Sequence, residues 1–192
     1  MTASGRQNPG FAANGRENTN MKKEKKIKTN AMRMLDEACM EYELLTYEAD
    51  ESDLSAVHAA RTLGLDPAEV FKTLVVRGDR TGFVVACIPA AASLDLKALA
   101  RESGNKSAAM IHVKELPEIT GYIRGGCSPI GMKKRFPVFV DSSAAGKDRI
   151  AVSAGRRGAQ LLLSPSVLLA ATGGKFACLV SDDPCTGELT EM

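Results

Sequence analysis

Apolar and polar positions follow two different periods along the chain, and the changes of period divide it into helices and strands. Residues 29–42 place apolar side chains on one stripe of a predicted first helix. Ser55 and Gly64 are typical cap residues and predict a second helix between them. A third helix is predicted over 93–103. A last one is predicted from Ser164, where a serine and a proline mark a helix start.

Between these helices, short runs rich in β-branched residues have the period of strands. The predicted strands span residues 43–48, 70–77, 83–89, 108–113, 136–141, 149–154, 159–164 and 175–181. Their order is neither a regular β-α-β alternation nor all-β. The pattern therefore predicts a mixed α/β single domain, in which a mixed β-sheet curls towards a barrel and helices surround it.

Composition sets the bounds of this domain. The chain has 192 residues, of which 44% are hydrophobic and 25% are charged, as is typical of one globular domain. Residues 1–25 are polar and rich in Gly and Asn, which predicts a disordered leader. The domain is predicted over 26–181, and residues 182–192 form a C-terminal tail.

Charge and hydropathy exclude several classes of protein. The net charge is only +2, so a nucleic-acid site needs a local cluster of cations. No apolar run is long enough to span a membrane, and the N-terminus lacks the apolar core of a signal peptide. We therefore expect a cytoplasmic protein with no membrane partner.

The cysteines and histidines do not indicate a metal centre. The five cysteines form no C-x-x-C pair, and we expect them to be reduced cytosolic thiols. They are Cys39, Cys87, Cys127, Cys178 and Cys185. Only two histidines accompany them, which are too few ligands for a typical closed zinc site, so neither a metal nor another cofactor is expected.

Lys72 is a cation inside a predicted strand. Alternation along VFKTLVVR places Lys72 on the same face as Leu74 and Val76, and Thr73 on the opposite face. Both faces are mostly apolar, and an ammonium there is costly unless a partner or a ligand meets it. Two interpretations stay open, a lysine that reaches solvent and a cation aimed into a cleft.

Two segments combine glycines with cations. GYIRGGCSPIGMKKRF (121–136) holds four glycines, one proline and three consecutive cations, and SAGRRG (153–158) holds two glycines and two arginines. Each segment is either a hairpin with a charged tip or a backbone platform for an anion or a carbonyl. Together their cations would form a phosphate-binding rim.

In this order, FKTLVV, GYIRGGCSPIGMKKR and SAGRRG resemble the motifs of the YbaK/EbsC family of aminoacyl-tRNA deacylases. This family is related to the editing domain of bacterial prolyl-tRNA synthetases. The resemblance runs from about residue 29 to residue 180, and the most similar branch is that of the cysteinyl-tRNA(Pro) deacylases. It implies a barrel-like mixed sheet with surrounding helices, and an enzyme that removes amino acids wrongly attached to tRNA.

The resemblance also implies a set of site residues. Lys72 takes the position of the essential lysine, and Gly125 begins the G-x-x-x-P loop, so both are expected to be catalytic. The expected substrate-binding residues are Tyr47, Thr73, Gly126, Ser128, Pro129, Ser153 and Gly155. Binding of the tRNA itself is expected from Lys133, Lys134, Arg135, Arg156 and Arg157.

The sequence departs from the family pattern in three places. Leu54 and Ser55 stand where relatives often carry an aromatic residue, which affects the pocket that selects the amino acid. Cys127 stands where an aliphatic residue is more frequent. It is either a packing residue or a nucleophile whose pKa the nearby cations lower. Residues 154–156 replace a glycine pair followed by lysine.

The chemistry of deacylation fits these residue types. An aminoacyl ester is already activated, so its cleavage needs positioning and oxyanion stabilisation more than a strong protein nucleophile. Gly125 and Gly126 would let backbone N–H groups approach the carbonyl closely. In the branch that the motifs resemble, the thiol of the substrate attacks its own carbonyl, and Lys72 would hold the phosphate or ester region.

We therefore predict a trans-editing deacylase that removes cysteine from tRNA(Pro), with prolyl-tRNA synthetase as a candidate partner. Two alternatives remain. The first is a module that binds the tRNA acceptor end or a synthetase without cleaving an ester. The second is a relative that edits alanyl-tRNA or another aminoacyl-tRNA by attack of water.

Overall fold

The structure, a computed structural model, describes residues 28–180, and the predicted leader and tail lie outside them. The helices are α1 (Asn30–Glu37), α2 (Ala56–Leu63), α3 (Leu96–Glu102), α4 (Leu116–Thr120) and α5 (Pro165–Thr172). The strands are β1 (Glu43–Thr46), β2 (Val70–Gly78), β3 (Gly82–Pro89), β4 (Ala108–Met110), β5 (Val138–Asp141), β6 (Ile150–Ser153), β7 (Ala159–Leu163) and β8 (Lys175–Ala177).

The strands form one mixed sheet in the order β1-β7-β6-β2-β3-β5-β8, and β4 also pairs with β2. The pairs β2/β6, β3/β5 and β5/β8 are parallel, and the remaining pairs are antiparallel. The predicted mixed α/β class is confirmed. The described sheet stays open, because β1 and β8 lie at its opposite ends and do not pair.

Strand β2 is the centre of the sheet. It pairs with β3 from Phe71, opposite Pro89, to Gly78, opposite Gly82. Its other edge is shared, since β6 pairs only with Val70 and Phe71 and β4 begins its pairing at Val76. Within the described chain, this edge has no ladder partner at residues 72–74, so the sheet opens beside Lys72.

The two faces of the sheet are packed differently. One face belongs to a large apolar cluster that includes Phe71, Val75 and residues of α1 and α5. The other face carries two smaller clusters, one around Val70 with α2 and one around Val76 with α3. By alternation, Lys72 lies between these two clusters, as the sequence predicts.

Local chemistry explains where the helices begin and end. The second helix has the predicted caps, because the Ser55 side chain accepts from the backbone N–H of His58 and Gly64 adopts φ 67°. The first helix is shorter than predicted. It ends at Glu37 because Cys39 has φ 53°, a left-handed conformation that a helix cannot continue through. Helix α4 was not predicted.

The structure bears on two expectations, one about membrane-spanning segments and one about the state of the cysteines. Within residues 28–180, no helix is both long and apolar enough to cross a membrane. Cys39, Cys87 and Cys127 are free thiols, but Cys178 is disulfide-bonded. The expectation that all five cysteines are reduced is therefore wrong for Cys178.

Candidate functional site

Lys72 projects from the centre of the sheet into a partly buried position. Its Nζ donates a hydrogen bond to the backbone carbonyl of Ala90 at 2.9 Å. Burial lowers the pKa of its ammonium below the ordinary value for lysine. The side chain therefore does not simply extend into solvent, and its remaining donors are available to a ligand.

Ser153 and Tyr47 lie along the sheet from Lys72. The β2/β6 ladder pairs Phe71 with Val152, so Lys72 and Ser153 are the next positions on adjacent strands and share a face. Ser153 Oγ accepts from the N–H of Gly155 at 3.3 Å. Beyond β7, the N–H of Tyr47 donates to the carbonyl of Gly158 at 2.9 Å. The fold thus places three separately predicted residues at one level across the sheet, on β2, at the end of β6 and just after β1.

The first glycine segment packs directly against the second. A Cβ at Gly126 would lie 2.9 Å from the backbone of Arg156, so only glycine allows this contact. Gly125 has φ 81°, and a Cβ there would lie 3.1 Å from Leu54. Leu54 is also one of the residues that depart from the family pattern, and this proximity places it beside the predicted G-x-x-x-P loop.

The sequence predicts that glycine N–H groups of this loop approach a substrate carbonyl, which requires amides that are not already hydrogen-bonded. The N–H of Gly126 already donates to the carbonyl of Ile123 at 3.0 Å. The amides of Gly125, Cys127 and Ser128 make no hydrogen bond to any residue that the structure describes. Unpaired amides in a mostly buried loop are uncommon and suit an anion or a carbonyl. Gly125 thus remains a candidate oxyanion donor, and Gly126 does not.

The side chains of three predicted substrate-binding residues are buried or lie on the face opposite Lys72. Ser128 and Pro129 are buried, and Ser128 Oγ accepts from the N–H of Ile130 at 3.2 Å, which holds the turn. Thr73 lies on the opposite face of β2, opposite Cys87 on β3. Their direct contact with a substrate stays a prediction, and their visible contribution is to the shape of the loop and the core.

Tyr122 is a residue that sequence reasoning missed. Its hydroxyl donates to the carbonyls of Ile130 and Gly131 at 2.7 and 3.0 Å, across the first glycine segment. Its ring fills the space beside Gly155, where a Cβ would lie 2.8 Å away. Burial raises the pKa of this phenol to about 12, so it stays a donor. Tyr122 therefore connects both glycine segments. The aromatic residue next to Gly121 was the available signal.

Cys127 does not have the environment of a nucleophile. Its side chain is 8% exposed and belongs to the large apolar cluster. Burial raises its pKa to about 12, whereas an activated thiol needs a lowered one. The interpretation of Cys127 as a packing residue is therefore favoured, and the nearby cations do not activate it.

The five predicted tRNA-binding cations do not all face one rim. Arg157 pairs with Glu51 at 3.0 Å and donates to the carbonyl of Arg124 at 3.1 Å, while Arg156 is exposed. Lys133 donates to the carbonyl of Pro117 at 3.1 Å. Lys134 lines a depression beside β2, and Arg135 lines a separate one beside α1 and α5. Arg156 and Arg157 are the cations that pack against Gly126 and Arg124 of the first glycine segment.

A larger groove lies elsewhere on the surface. It has a volume of about 1340 Å³, and its lining includes residues of α1, β1 and β7, such as Met32, Leu44 and Leu163. None of the predicted site residues lines it. We place the candidate site at Lys72, because that position holds a partly buried cation on a mostly apolar strand face, and cavity size alone indicates no chemistry.

Comparison with known proteins identifies the family of this chain. Residues 50–171 match the family described as the aminoacyl-tRNA editing domain. EbsC of Enterococcus faecalis, provisionally named a Cys-tRNA(Pro)/Cys-tRNA(Cys) deacylase, is 49% identical over 156 residues, which are 81% of this chain and 95% of EbsC. The chain therefore belongs to the family of aminoacyl-tRNA editing domains, and the resemblance inferred from its motifs is confirmed. This membership supports a deacylase activity.

Two solved structures share the fold. The hypothetical protein APE2540 has a TM-score of 0.72 and 24% identity, over 80% of this chain and 100% of its own. A protein provisionally described as a trans-editing enzyme for prolyl-tRNA synthetase has a TM-score of 0.69 and 24% identity, over 81% and 99%. At this level of identity the likeness extends to the fold.

Proposed function

We propose that this protein is a trans-editing deacylase that removes cysteine from mischarged tRNA(Pro). One observation carries the proposal. Lys72, whose partly buried ammonium donates to the carbonyl of Ala90, shares a face of the sheet with Ser153, the residue that begins the second glycine segment. The name given to EbsC, which shares 49% of its residues over most of this chain, supports cysteine as the amino acid.

In the proposed reaction the substrate supplies the nucleophile. The sulfur of the cysteine side chain attacks the carbonyl carbon of its own ester, and a C–S bond forms. The bond between that carbon and the ribose oxygen breaks, and the thiol proton passes to this oxygen. The products are a cyclic thioester, which water hydrolyses, and an uncharged tRNA.

The protein contributes position and charge to this reaction. Lys72 donates to the ester or phosphate oxygens as a point charge, and the unpaired amide of Gly125 stabilises the oxyanion. No protein thiol is needed, which agrees with the burial of Cys127. Ser153 and Tyr47 line the same end of the sheet and contact the aminoacylated end.

Recognition of the tRNA body is proposed for a smaller set of cations than the sequence suggests. Arg156 is exposed next to Gly126, so a phosphate of the acceptor end can reach it. Arg157 can join it on releasing Glu51. We further propose that the protein acts in the cytoplasm with prolyl-tRNA synthetase, a partner that the description of one structural neighbour supports.

A panel of charged tRNAs tests the proposed function. The same tRNA(Pro) is charged with cysteine, serine or alanine, and loss of the ester bond is followed with wild-type protein. We expect fast cleavage with cysteine and much slower cleavage with serine and alanine, because a hydroxyl or a methyl group cannot replace the thiol. The three substrates share their tRNA contacts, so the difference lies in turnover more than in affinity.

Each other outcome of the panel selects an alternative. Equal cleavage of all three substrates indicates an activated water and a broader editing role. Tight binding of the charged tRNA without cleavage indicates a module that holds the acceptor end. Repeating the panel with prolyl-tRNA synthetase present shows whether the synthetase raises the rate on cysteine, as the proposed partnership requires.

A further inference from the structure

A buried polar side chain lies at the candidate site without a protein partner. Gln160 in β7 is only 6% exposed. Its Oε1 makes no hydrogen bond to any residue in the described part of the chain. A buried carbonyl oxygen without a partner is costly, and such an oxygen is rare in native structures unless water or a ligand meets it.

The sheet places Gln160 in line with Lys72. Gln160 is the direct cross-strand partner of Ser153, and paired residues of antiparallel strands point to the same face. Leu162, two positions further along β7, packs with Val70, which fixes this face as the one that carries Lys72. Since β6 separates β7 from β2, Gln160 lies about 10 Å from Lys72 across the sheet.

We propose that Gln160 positions the aminoacylated 3′ end of tRNA by accepting a hydrogen bond from a donor beside the ester. This inference rests on the deacylase function proposed above. The ester has two such donors, the α-ammonium of the amino acid and the neighbouring hydroxyl of the terminal ribose. Lys72 carries only donors and cannot meet them, whereas the Oε1 of Gln160 is an acceptor. The two side chains therefore complement each other.

Two substitutions of Gln160 test this role. Gln160→Met keeps the length of the side chain and removes the acceptor, and Gln160→Glu keeps an acceptor at the same distance. We expect Gln160→Met to raise KM for cysteinyl-tRNA(Pro) roughly tenfold. Its melting temperature should equal or exceed that of the wild type, because an unpartnered polar group is removed. Gln160→Glu should restore most of the affinity.

A matched control separates this role from packing. Leu162→Met introduces the same side chain on the same face of the same strand and should change neither KM nor kcat. A purely structural role for Gln160 predicts the opposite result, in which Gln160→Met lowers the melting temperature and leaves KM unchanged. That result overturns the proposal.

Two modified substrates identify the donor. One lacks the α-amino group, as in the 3-mercaptopropionyl ester, and the other lacks the hydroxyl of the terminal ribose next to the ester. The substrate that lacks the true partner of Gln160 should abolish the difference in KM between the wild type and Gln160→Met. If the difference persists at full size with both substrates, Gln160 does not accept from either donor and the proposal is wrong.

A non-cleavable ligand keeps this test independent of turnover. Cysteine joined by an amide to 3′-amino-3′-deoxyadenosine retains both donors, and calorimetry measures its binding. Roughly tenfold weaker binding by Gln160→Met supports the proposal even if the wild type cleaves no ester, an outcome that would refute only the deacylase function. Equal binding by both proteins overturns the role of Gln160, while cleavage by the wild type leaves the deacylase function intact. No binding by the wild type overturns both.

Discussion

The two faces of β2 differ in how completely they are packed. On one face Phe71 and Val75 are 1% and 2% exposed and join one large cluster. On the other, Val70 and Val76 are equally buried but belong to separate clusters, with Lys72 between them. The continuous face holds the sheet to its helices. The interrupted face has a cation, Lys72, in place of an apolar side chain at one position. We locate the chemistry at this position.

The largest expected effects come from substituting two neighbouring residues of β2, one of which should cost activity and the other stability. Lys72→Ala should remove cysteinyl-tRNA(Pro) deacylation by a factor of about 10² to 10³, because a charge that stabilises the transition state is lost. Its fold should survive. Phe71→Ala should instead lower the free energy of unfolding by about 3–5 kcal/mol, because it opens a cavity in the large cluster. Single-turnover kinetics and urea unfolding measure the two quantities.

The exposed Lys97 on α3 provides the matched control for lysine removal, and Lys97→Ala should leave both quantities unchanged. A folded Lys72→Ala protein that cleaves at the wild-type rate would refute the assignment of the site. A Lys72→Ala protein that unfolds like Phe71→Ala would show that the two faces do not differ in function.

The next effect concerns the contact between the two glycine segments. In Gly126→Ala the new Cβ would lie 2.9 Å from the Arg156 backbone, so one segment must move by a few tenths of an ångström. We expect kcat to fall roughly tenfold, because small displacements of positioning groups are costly in catalysis. Gly146→Ala is the control, since its Cβ meets nothing within 4 Å. Equal rates for wild type, Gly126→Ala and Gly146→Ala would return this loop to the status of an ordinary turn.

The sequence predicts much of the fold because its signals are local. Period-two alternation locates β2 and β3, and the caps Ser55 and Gly64 bound α2 within one residue. The length of α1 is predicted wrongly, because nothing in its apolar stripe reveals that Cys39 turns to a positive φ. That the sheet stays open also cannot be predicted from local sequence signals, because it depends on whether the first and last strands of the sheet pair with each other.

The candidate site shows the same division between local and long-range information. Lys72 stands out in the sequence because a cation interrupts an apolar strand. Gln160 does not stand out, since glutamine is an ordinary residue in a strand with an exposed face. Only the β6/β7 register places it beside Ser153, and only burial shows that its oxygen lacks a partner. Likewise, the role of Gly126 depends on Arg156, thirty positions away.

A smaller effect follows from the pKa of Lys72. Burial lowers this pKa in the folded protein, so the ammonium is lost at a lower pH than in an ordinary lysine. Deacylation that depends on the charge should therefore fall as pH rises through the lowered pKa. In the unfolded chain Lys72 has its ordinary, higher pKa and keeps its proton to a higher pH. Between the two pKa values the free energy of unfolding should therefore rise as the pH rises. Activity and stability thus change in opposite directions over the same range of pH.

Single-turnover rates and denaturant midpoints, measured along one pH series, check both trends. Lys72→Arg is the control, because a guanidinium stays charged throughout this range, and its rate should show no loss from deprotonation at position 72. Ionisation of the substrate thiol changes the rates of the wild type and of Lys72→Arg by the same factor, so the ratio of the two rates does not depend on it. A ratio that is constant across the series would show that the charge of Lys72 is not required.

The smallest expected change in activity is that of Cys127→Ser, which tests the continuous face. Cys127 is buried in the large cluster, so replacing its thiol with a more polar hydroxyl should lower the free energy of unfolding by about 1–3 kcal/mol. Cys39→Ser, at an exposed position, should cost almost nothing. Below the unfolding transition, both variants should cleave cysteinyl-tRNA(Pro) at the wild-type rate per folded molecule, because the attacking sulfur belongs to the substrate. Circular dichroism gives the folded fraction and single-turnover assays give the rate. A folded but inactive Cys127→Ser protein would move the nucleophile into the protein and would make the packed face, rather than the interrupted one, the site of the chemistry.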